Sequence, residues 1–166
     1  REMAEQRRIS VDTETTSTNP RWAEIVGYSF AWQSGVGCYI PVRSPPGEPA
    51  LPPAYVADQL RDILENPRIE KVGQNLKYDM IVLRSADIWL RGLAFDTMVA
   101  DYLIDPGERN HSLDDLAKRY LDHDTIKIGT LIGTGKNRKN MDQVPVELVT
   151  AYAAEDADIA WRVQVG

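Results

Sequence analysis

The sequence predicts an α/β fold in which helices cover a mixed β-sheet. Three observations lead to this prediction. The first 42 residues contain three strand-like segments, later residues alternate helix-like and strand-like patterns, and 166 residues suffice for one domain with its own core. We therefore expect three antiparallel strands followed by parallel strands, with residues 1–166 forming a single domain.

The N-terminal strands are predicted from apolar alternation. Residues 8–12 form the first strand. In residues 24–33 bulky side chains alternate with small ones, which is typical of a strand that is covered on both faces. Ser34-Gly35 is a turn signal before a third strand at residues 36–42. We expect these strands to form an antiparallel meander.

The next segment contains a helix, a short strand and a second helix. After a proline-rich connection, residues 53–66 show the apolar spacing of an amphipathic helix. Residues 69–73 form a short strand. Asn75 is a residue type that caps helices, so we expect its side chain to cap a helix that ends near Ser85.

The C-terminal half is mainly helical. Residues 93–95 are a candidate strand, and Asp96 and Ser112 are each predicted to cap the helix that follows them. The segment 129–142 is rich in Gly, Lys and Asn, and we expect it to be a mobile loop. Pro145 suits the first position of a last helix, which extends to the end of the chain.

Composition and charge exclude several classes of protein. A net charge of −6 argues against a free-standing nucleic-acid binder, but not against an enzyme that meets nucleic acid through metal ions. A single cysteine, Cys38, excludes a disulfide framework and suits a reducing cytosol. No apolar run approaches the roughly 20 residues of a membrane span. Because the chain does not begin with Met and ends inside a helix pattern, we expect it to be part of a longer polypeptide.

Two acidic residues follow the first apolar run. Because the side-chain period of a strand is two, Asp12 and Glu14 are expected to point the same way. Like charges this close repel, whereas a divalent cation such as Mg²⁺ prefers carboxylate oxygens. Taken alone, the pair is explained at least as well by a solvated strand end that continues into a Thr-rich turn.

The last helix supplies a third acidic residue. Tyr152 and Asp156 are one helical turn apart and lie on or beside its apolar stripe, so Asp156 is expected to point inward. A buried carboxylate requires a partner, which is either a basic side chain or a metal ion shared with the first-strand pair. Glu155 and Asp158 are predicted to be solvated charges on the other faces of the helix.

Asp79 is the fourth acidic residue of interest. It lies in the first turn of the helix that follows Asn75. There it would oppose the helix macrodipole and stabilise the helix by roughly 0.3–1 kcal/mol. That structural role and a role as a metal ligand both remain open.

Three segments carry these residues in order, namely Asp12-Thr13-Glu14, Asn75-Leu76-Lys77-Tyr78-Asp79 and Tyr152-Ala153-Ala154-Glu155-Asp156. Together they resemble the DEDDy class of 3′–5′ exonucleases. The likeness is greatest to the proofreading domain of bacterial family-A DNA polymerases, the DNA polymerase I group, through Lys71–Asp79, Gly92–Met98 and Tyr152–Asp158. It extends over about residues 8–164, and the absence of His from residues 150–155 favours the tyrosine version of the class.

This resemblance implies a ribonuclease-H-like fold and a two-metal-ion mechanism. By that resemblance, two Mg²⁺ or Mn²⁺ ions, with Zn²⁺ possible at one site, are held by Asp12, Glu14, Asp79 and Asp156. Tyr152 would orient the attacking water. A phenol with a pKa near 10 is a poor base at neutral pH, so we expect Tyr152 to position the water rather than deprotonate it.

The resemblance also implies contacts to the terminal nucleotides of a single strand, made by Thr13, Gln74, Asn75 and Tyr78. For two of these residues a local role is equally plausible, with Asn75 as a helix cap and Tyr78 in core packing. Such contacts to stacked bases and phosphates tolerate any sequence, as a proofreading enzyme requires.

Two positions depart from the family pattern. Thr18 stands where the family has an apolar wedge against the terminal base, and Ile128 stands where it has a bulky aromatic residue. We expect the grip on the terminal base to differ, with the metal site intact. Lys136, Arg138 and Lys139 could contact a nucleic-acid backbone, although a solvated loop is the favoured interpretation.

The first functional hypothesis is a metal-dependent 3′–5′ exodeoxyribonuclease domain that acts on single-stranded or mismatched DNA. The implied partners are a DNA 3′ end and the polymerase domain of the same chain in the bacterial cytosol, and the isolated domain is expected to be a monomer without membrane contact. Two alternatives are an RNase D-like exoribonuclease and a catalytically silent domain that braces a polymerase.

Overall fold

A computed structural model describes residues 1–165 and contains a five-stranded mixed sheet with helices on both faces. The strands are β1 Arg8–Thr15, β2 Ile25–Gln33, β3 Val36–Pro41, β4 Glu70–Gly73 and β5 Leu93–Asp96, in the spatial order β3-β2-β1-β4-β5. β1, β2 and β3 pair antiparallel, whereas β4 runs parallel to β1 and β5 runs parallel to β4. The predicted mixed sheet is thus confirmed.

Six α-helices accompany the sheet in the described residues. They are α1 Pro53–Leu64, α2 Leu76–Ser85, α3 Thr97–Ile104, α4 Leu113–Leu121, α5 Ile128–Ile132 and α6 Val146–Val165. Short 3₁₀ turns occur at Glu2–Glu5, Gly135–Asn137 and Met141–Gln143. Within residues 1–165, no helix combines the length and the apolar character that crossing a bilayer requires.

The two faces of β1 have different environments. Ile9 and Val11 are fully buried in the core that β1 and β2 form with α1 and α2. The alternating residues, including Asp12 and Glu14, therefore face the opposite side of the sheet, where α6 packs across β1, β2 and β3. The period-2 prediction that Asp12 and Glu14 share a face is consistent with this arrangement.

Helix α6 lies unusually close to the sheet because the residues beneath it are small. Gly37 of β3 pairs with Ala31 of β2, and a side chain at Gly37 would overlap the backbone carbonyl of Ala154 in α6. Glycine is required here by close approach rather than by its φ angle. The small face predicted for residues 24–33 is therefore the surface on which α6 rests.

Two acidic residues of α6 tie the helix to its neighbours, which corrects the prediction that both are solvated. The carboxylate of Glu155 accepts hydrogen bonds from His123 Nε2 at 2.9 Å and from the Ile126 backbone N–H at 2.7 Å. Asp158 accepts one from the Gly35 backbone N–H at 2.6 Å. Their side chains are only 19% and 13% exposed. Helical periodicity could not reveal these partners, because they come from distant loops.

The prediction that the Asn75 side chain caps α2 is also wrong. Asn75 has a left-handed backbone with φ of 56°, and its side chain makes no capping hydrogen bond. Asp96 caps α2 instead, since its Oδ2 accepts from the Leu76 backbone N–H at 2.8 Å and its Oδ1 from that of Asn75 at 3.0 Å. The same Oδ1 accepts from the Met98 N–H at 3.0 Å, so Asp96 also caps α3, as predicted.

The segment 129–142 is more structured than the mobile loop that its composition predicts. It contains most of α5, the whole 3₁₀ turn Gly135–Asn137 and the first two residues of the turn Met141–Gln143. Ile132 and Met141 are buried at its two ends, together with Val26 and Val149. Apolar anchors at both ends, rather than the intervening Gly and Lys residues, determine the path of this segment.

We predict that Asp96→Ala destabilises the fold more than the loss of a single helix cap. One carboxylate serves the first turns of both α2 and α3, so its removal is expected to cost about 1–4 kcal/mol of unfolding free energy, against about 1 kcal/mol for one cap. Chemical denaturation measures both values.

Ser112→Ala is the matched control, because Ser112 accepts from the Asp115 backbone N–H and caps α4 alone. Equal losses of unfolding free energy in the two variants would contradict the shared-cap interpretation.

Candidate active site

The end of β1 presents Asp12 and Glu14 opposite small residues. In the β1–β2 pairing, Asp12 lies opposite Ser29 and Glu14 lies opposite Gly27. Directly opposed residues in an antiparallel pair point to the same face, so Asp12 and Glu14 lie beside residues that have little or no side chain. A bulge between Glu14 and Thr15 then turns the chain away from the sheet.

Helix α6 brings the third carboxylate to this face. Asp12, Glu14 and Asp156 each offer a carboxylate oxygen, and the three oxygens lie within 4.8 Å of one another. Residues more than 140 positions apart in the chain therefore meet in one cluster. We call Asp12, Glu14 and Asp156 the carboxylate triad.

Asp79 approaches the triad from α2. Its side chain is buried, and its Oδ1 accepts a hydrogen bond from the Thr13 hydroxyl at 2.6 Å. Asp79 is not part of the triad, but its charge acts on Glu14, and the charge of Asp12 acts on Asp79. A first-turn acidic residue usually faces solvent, so the burial of Asp79 goes beyond what opposition to the helix dipole requires.

Burial raises the pKa of all four carboxyl groups, and repulsion by neighbouring carboxylates raises it further for Glu14, Asp79 and Asp156. Burial raises the pKa of Asp12 to about 7. The pKa of Glu14 is raised first by burial and then by the charges of Asp12, Asp156 and Asp79. Burial, followed by the charge of Asp12, raises the pKa of both Asp79 and Asp156. Without a countercharge, the cluster cannot hold four ionised carboxylates at neutral pH.

The donor set fits a divalent cation. Among residues 1–165, none of the ion pairs includes any of the four carboxylates. Hard cations such as Mg²⁺ and Mn²⁺ take oxygen ligands, and close, buried carboxylate oxygens without a basic partner provide that environment. The alternative that a lysine or arginine neutralises Asp156 therefore finds no support in the described residues.

Two tyrosines border the triad. Tyr152 lies one turn before Asp156 on α6, and burial, followed by the charges of Asp156, Glu14 and Asp12, raises the pKa of its phenol. Tyr39 of β3 lies over Gly27, which is opposite Glu14, and its buried hydroxyl has no hydrogen-bond partner among residues 1–165. Burial and the charge of Glu14 raise the pKa of Tyr39 as well.

A groove of about 560 Å³ has Glu14 of the triad in its lining. Three of the four residues predicted to contact nucleotides line it, namely Thr13, Asn75 and Tyr78, and so do the two departures from the family pattern, Thr18 and Ile128. The Tyr78 hydroxyl is hydrogen-bonded to Thr15 and to the Ser17 carbonyl, so Tyr78 holds the loop after β1 while it faces the groove.

The fourth predicted contact, Gln74, does not line this groove. Its Nε2 donates to the His111 carbonyl at 2.8 Å, and its Oε1 accepts from the Thr97 hydroxyl. Both ends of the amide are therefore used within the chain, and a nucleotide contact by Gln74 stays a prediction.

The sequence contained a signal for Tyr39 that the prediction did not use. Alternation placed Tyr39 in the third strand and Gly27 on the small face of the second. A glycine that pairs opposite an acidic residue leaves space that a neighbouring strand can fill with a large side chain. The double cap by Asp96 had no such signal, because it depends on the pairing of β4 with β5.

Comparison with known proteins identifies similar chains. The family model described as 3′–5′ exonuclease matches residues 1–165. DNA polymerase I of Pseudomonas aeruginosa is 41% identical over 98% of this chain, and that of Borreliella burgdorferi is 36% identical over 93%. The chain spans only 18% and 16% of the length of these two relatives.

Solved structures share the fold. NrnC of Brucella melitensis superposes with a TM-score of 0.74 at 20% identity, over 98% of this chain and 72% of its own. Pol1 of M. smegmatis, solved with a DNA primer-template and dNTP, gives 0.71 at 22% identity, over 98% of this chain and 24% of its own. NrnC has also been solved with bound Mg²⁺, with a TM-score of 0.70 at 20% identity, over 98% of this chain and 72% of its own.

We predict that the metal-free protein loses stability as the pH rises from about 4 to about 7. The folded state has raised carboxyl pKa values, so in this window it binds more protons than the unfolded state, and the unfolding free energy falls with rising pH. Asp12 alone accounts for up to about 4 kcal/mol, because its pKa moves from 3.8 to about 7. Denaturant unfolding at several pH values in a chelator measures the decline.

Asp12→Asn is the control for this prediction, since it removes one titrating group and should make the decline shallower. Saturating Mn²⁺ or Mg²⁺ should restore stability at the upper end of the pH window. A metal concentration of 100 times the dissociation constant should raise the unfolding free energy by about 2.7 kcal/mol. A decline that is the same in both proteins would refute the assignment.

Proposed function

Because this chain belongs to the 3′–5′ exonuclease family of DNA polymerase I, we propose that it hydrolyses the terminal phosphodiester bond at the 3′ end of single-stranded or mismatched DNA. The observation that carries the proposal is the carboxylate triad, whose oxygens lie within 4.8 Å of one another and whose Glu14 also lines a groove. In the reaction, water attacks the terminal phosphorus and the bond from phosphorus to the 3′ oxygen breaks. A nucleoside 5′-monophosphate leaves, and the shortened strand keeps a 3′ hydroxyl.

The proposed cofactors are two divalent cations, Mg²⁺ or Mn²⁺, with Zn²⁺ possible at one site. Asp12, Glu14 and Asp156 are the proposed ligands in the triad, and Asp79 completes the set from α2. When bound, such ions lower the pKa of the attacking water and neutralise charge on the leaving oxygen. The raised carboxyl pKa values support this assignment, because they show how strongly the cluster favours added positive charge.

Tyr152 is proposed to position the attacking water. Its pKa is raised by burial and by the neighbouring carboxylates, so the phenol stays protonated at neutral pH and cannot act as a general base. A phenol oxygen also accepts hydrogen bonds, so a Tyr152 hydroxyl that is engaged with Asp156 can still orient a water against the terminal phosphorus.

Thr13 is proposed to position Asp79. Its hydroxyl donates to the Asp79 carboxylate while its own strand carries Asp12 and Glu14 on either side. The spacing between the groups supplied by β1 and by α2 therefore depends on this hydrogen bond, as outer hydrogen bonds orient the ligands of metal sites in general.

The proposed setting is one domain, residues 1–166, within a longer DNA polymerase chain. The chain spans less than a fifth of relatives that are named DNA polymerase I, which supports a polymerase domain as its partner. β5 is an edge strand of the sheet, and large apolar side chains on β5 and α3 are exposed, namely Leu93, Phe95, Val99, Tyr102, Leu103 and Ile104. We assign this surface to contact with the rest of that chain.

We predict that the double variant Asp12→Ala, Glu14→Ala loses at least about 1000-fold in exonuclease rate, because it removes two of three triad carboxylates. Tyr152→Phe should lose about 100-fold in kcat without loss of Mn²⁺ affinity, since it removes only the positioning group. Stepwise shortening of a 5′-labelled single strand with Mg²⁺ or Mn²⁺ measures both rates.

Asp62→Ala is the matched control, because Asp62 is an exposed carboxylate on α1, on the opposite face of the sheet. Full activity in the double variant would refute the catalytic assignment. RNA of the same sequence, assayed in parallel, distinguishes the RNase D-like alternative, and absence of activity on both strands indicates the silent bracing domain.

A further inference from the structure

We propose that Arg138 and Lys139 form a phosphate-binding wall that holds the backbone of a single nucleic-acid strand in the groove. This inference rests on the proposed function, because it assigns a surface to the same substrate. The composition of residues 129–142 favours a solvated loop, whereas the structure places these two residues in the lining of the groove that reaches Glu14.

The two basic residues line the same groove as Glu14 of the triad. Arg138 and Lys139 line it from one side, and Thr13, Glu14 and Thr18 line it from the β1 side. Lys136 belongs to the same segment and carries the same charge, but it does not line the groove. Two of the three basic residues of segment 129–142 therefore line the groove.

The backbone that carries Arg138 and Lys139 is held at both ends. The Lys139 N–H donates to the Ile132 carbonyl at 2.8 Å, which closes the loop, and the Ile132 and Met141 side chains are buried. Asn140 and Gln143 form a reciprocal capping box immediately afterwards. A fixed backbone places the two charges beside the groove before any ligand binds, which lowers the ordering cost of binding.

The charges on this wall match a phosphodiester strand. The protein has a net charge of −6, and neither Arg138 nor Lys139 takes part in an ion pair among residues 1–165. A guanidinium and an ammonium on adjacent residues can contact neighbouring phosphates, and such contacts carry no base information. They would hold a strand of any sequence while its 3′ end reaches the triad.

We predict that Arg138→Gln, Lys139→Gln weakens binding of a short fluorescent oligothymidylate by about 5–20-fold at low salt. The slope of log K against log salt should fall in magnitude by about 1.4, since each lost contact to a single strand removes about 0.7. Fluorescence anisotropy in a chelator measures both quantities without any need for catalysis.

Lys136→Gln is the matched control, and its binding should equal that of the wild type. The charge-preserving variant Arg138→Lys, Lys139→Arg should recover most of the affinity, while thermal unfolding checks that all variants fold. Equal binding by the neutral double variant and Lys136→Gln would overturn the proposal. A polyglutamate peptide that displaces the fluorescent oligothymidylate as effectively as an unlabelled oligonucleotide does would also overturn it. If the wild type releases no nucleotides but the neutral double variant still binds the oligonucleotide more weakly, the phosphate-binding wall is supported and only the exonuclease proposal is refuted.

Discussion

The repulsion among four buried or half-buried carboxylates is the constraint on which the rest of this structure depends. Buried like charges are costly, and the protein brings them together without a lysine or arginine among the described residues to neutralise them. The fold supplies the free energy that holds them in place through apolar packing on both faces of the sheet. Such an arrangement is typical of a site that binds cations.

Several structural features maintain this cluster. The small residues of β2 and β3 allow α6 to lie close to the sheet, which brings Asp156 to the end of β1. The Asp96 side chain caps the first turns of both α2 and α3, and α2 carries Asp79 in its first turn. The hydrogen bonds of Glu155 and Asp158 hold α6 to loops beyond the site. Positioning of the site is therefore distributed over most of the chain.

Much of the fold could be predicted from sequence because its signals are local. Alternation in residues 24–33, helical spacing in α1 and the cap at Asp96 each depend on neighbouring residues, and the structure agrees with all three. The cap of α2, the partners of Glu155 and the path of residues 129–142 depend on contacts between distant segments, which periodicity does not encode. Periodicity singled out Asp12, Glu14 and Asp156 and left the role of Asp79 open, and resemblance to a family joined the four into one site. The hydrogen bond from Thr13 that holds Asp79 became visible only in three dimensions.

The contact of α6 with Gly37 limits where the chain can vary in length. The β2–β3 turn is fixed from two sides, because Gly37 touches the backbone of α6 and the Gly35 N–H bonds to Asp158. An inserted residue in that hairpin would tilt the helix and draw Asp156 away from Asp12. The proline-rich connection before α1 carries no side chain of the cluster and contacts α6 through Glu48, which accepts a hydrogen bond from the Val146 N–H at 2.6 Å. Additions to the chain away from Glu48 are therefore tolerated there better than in the hairpin.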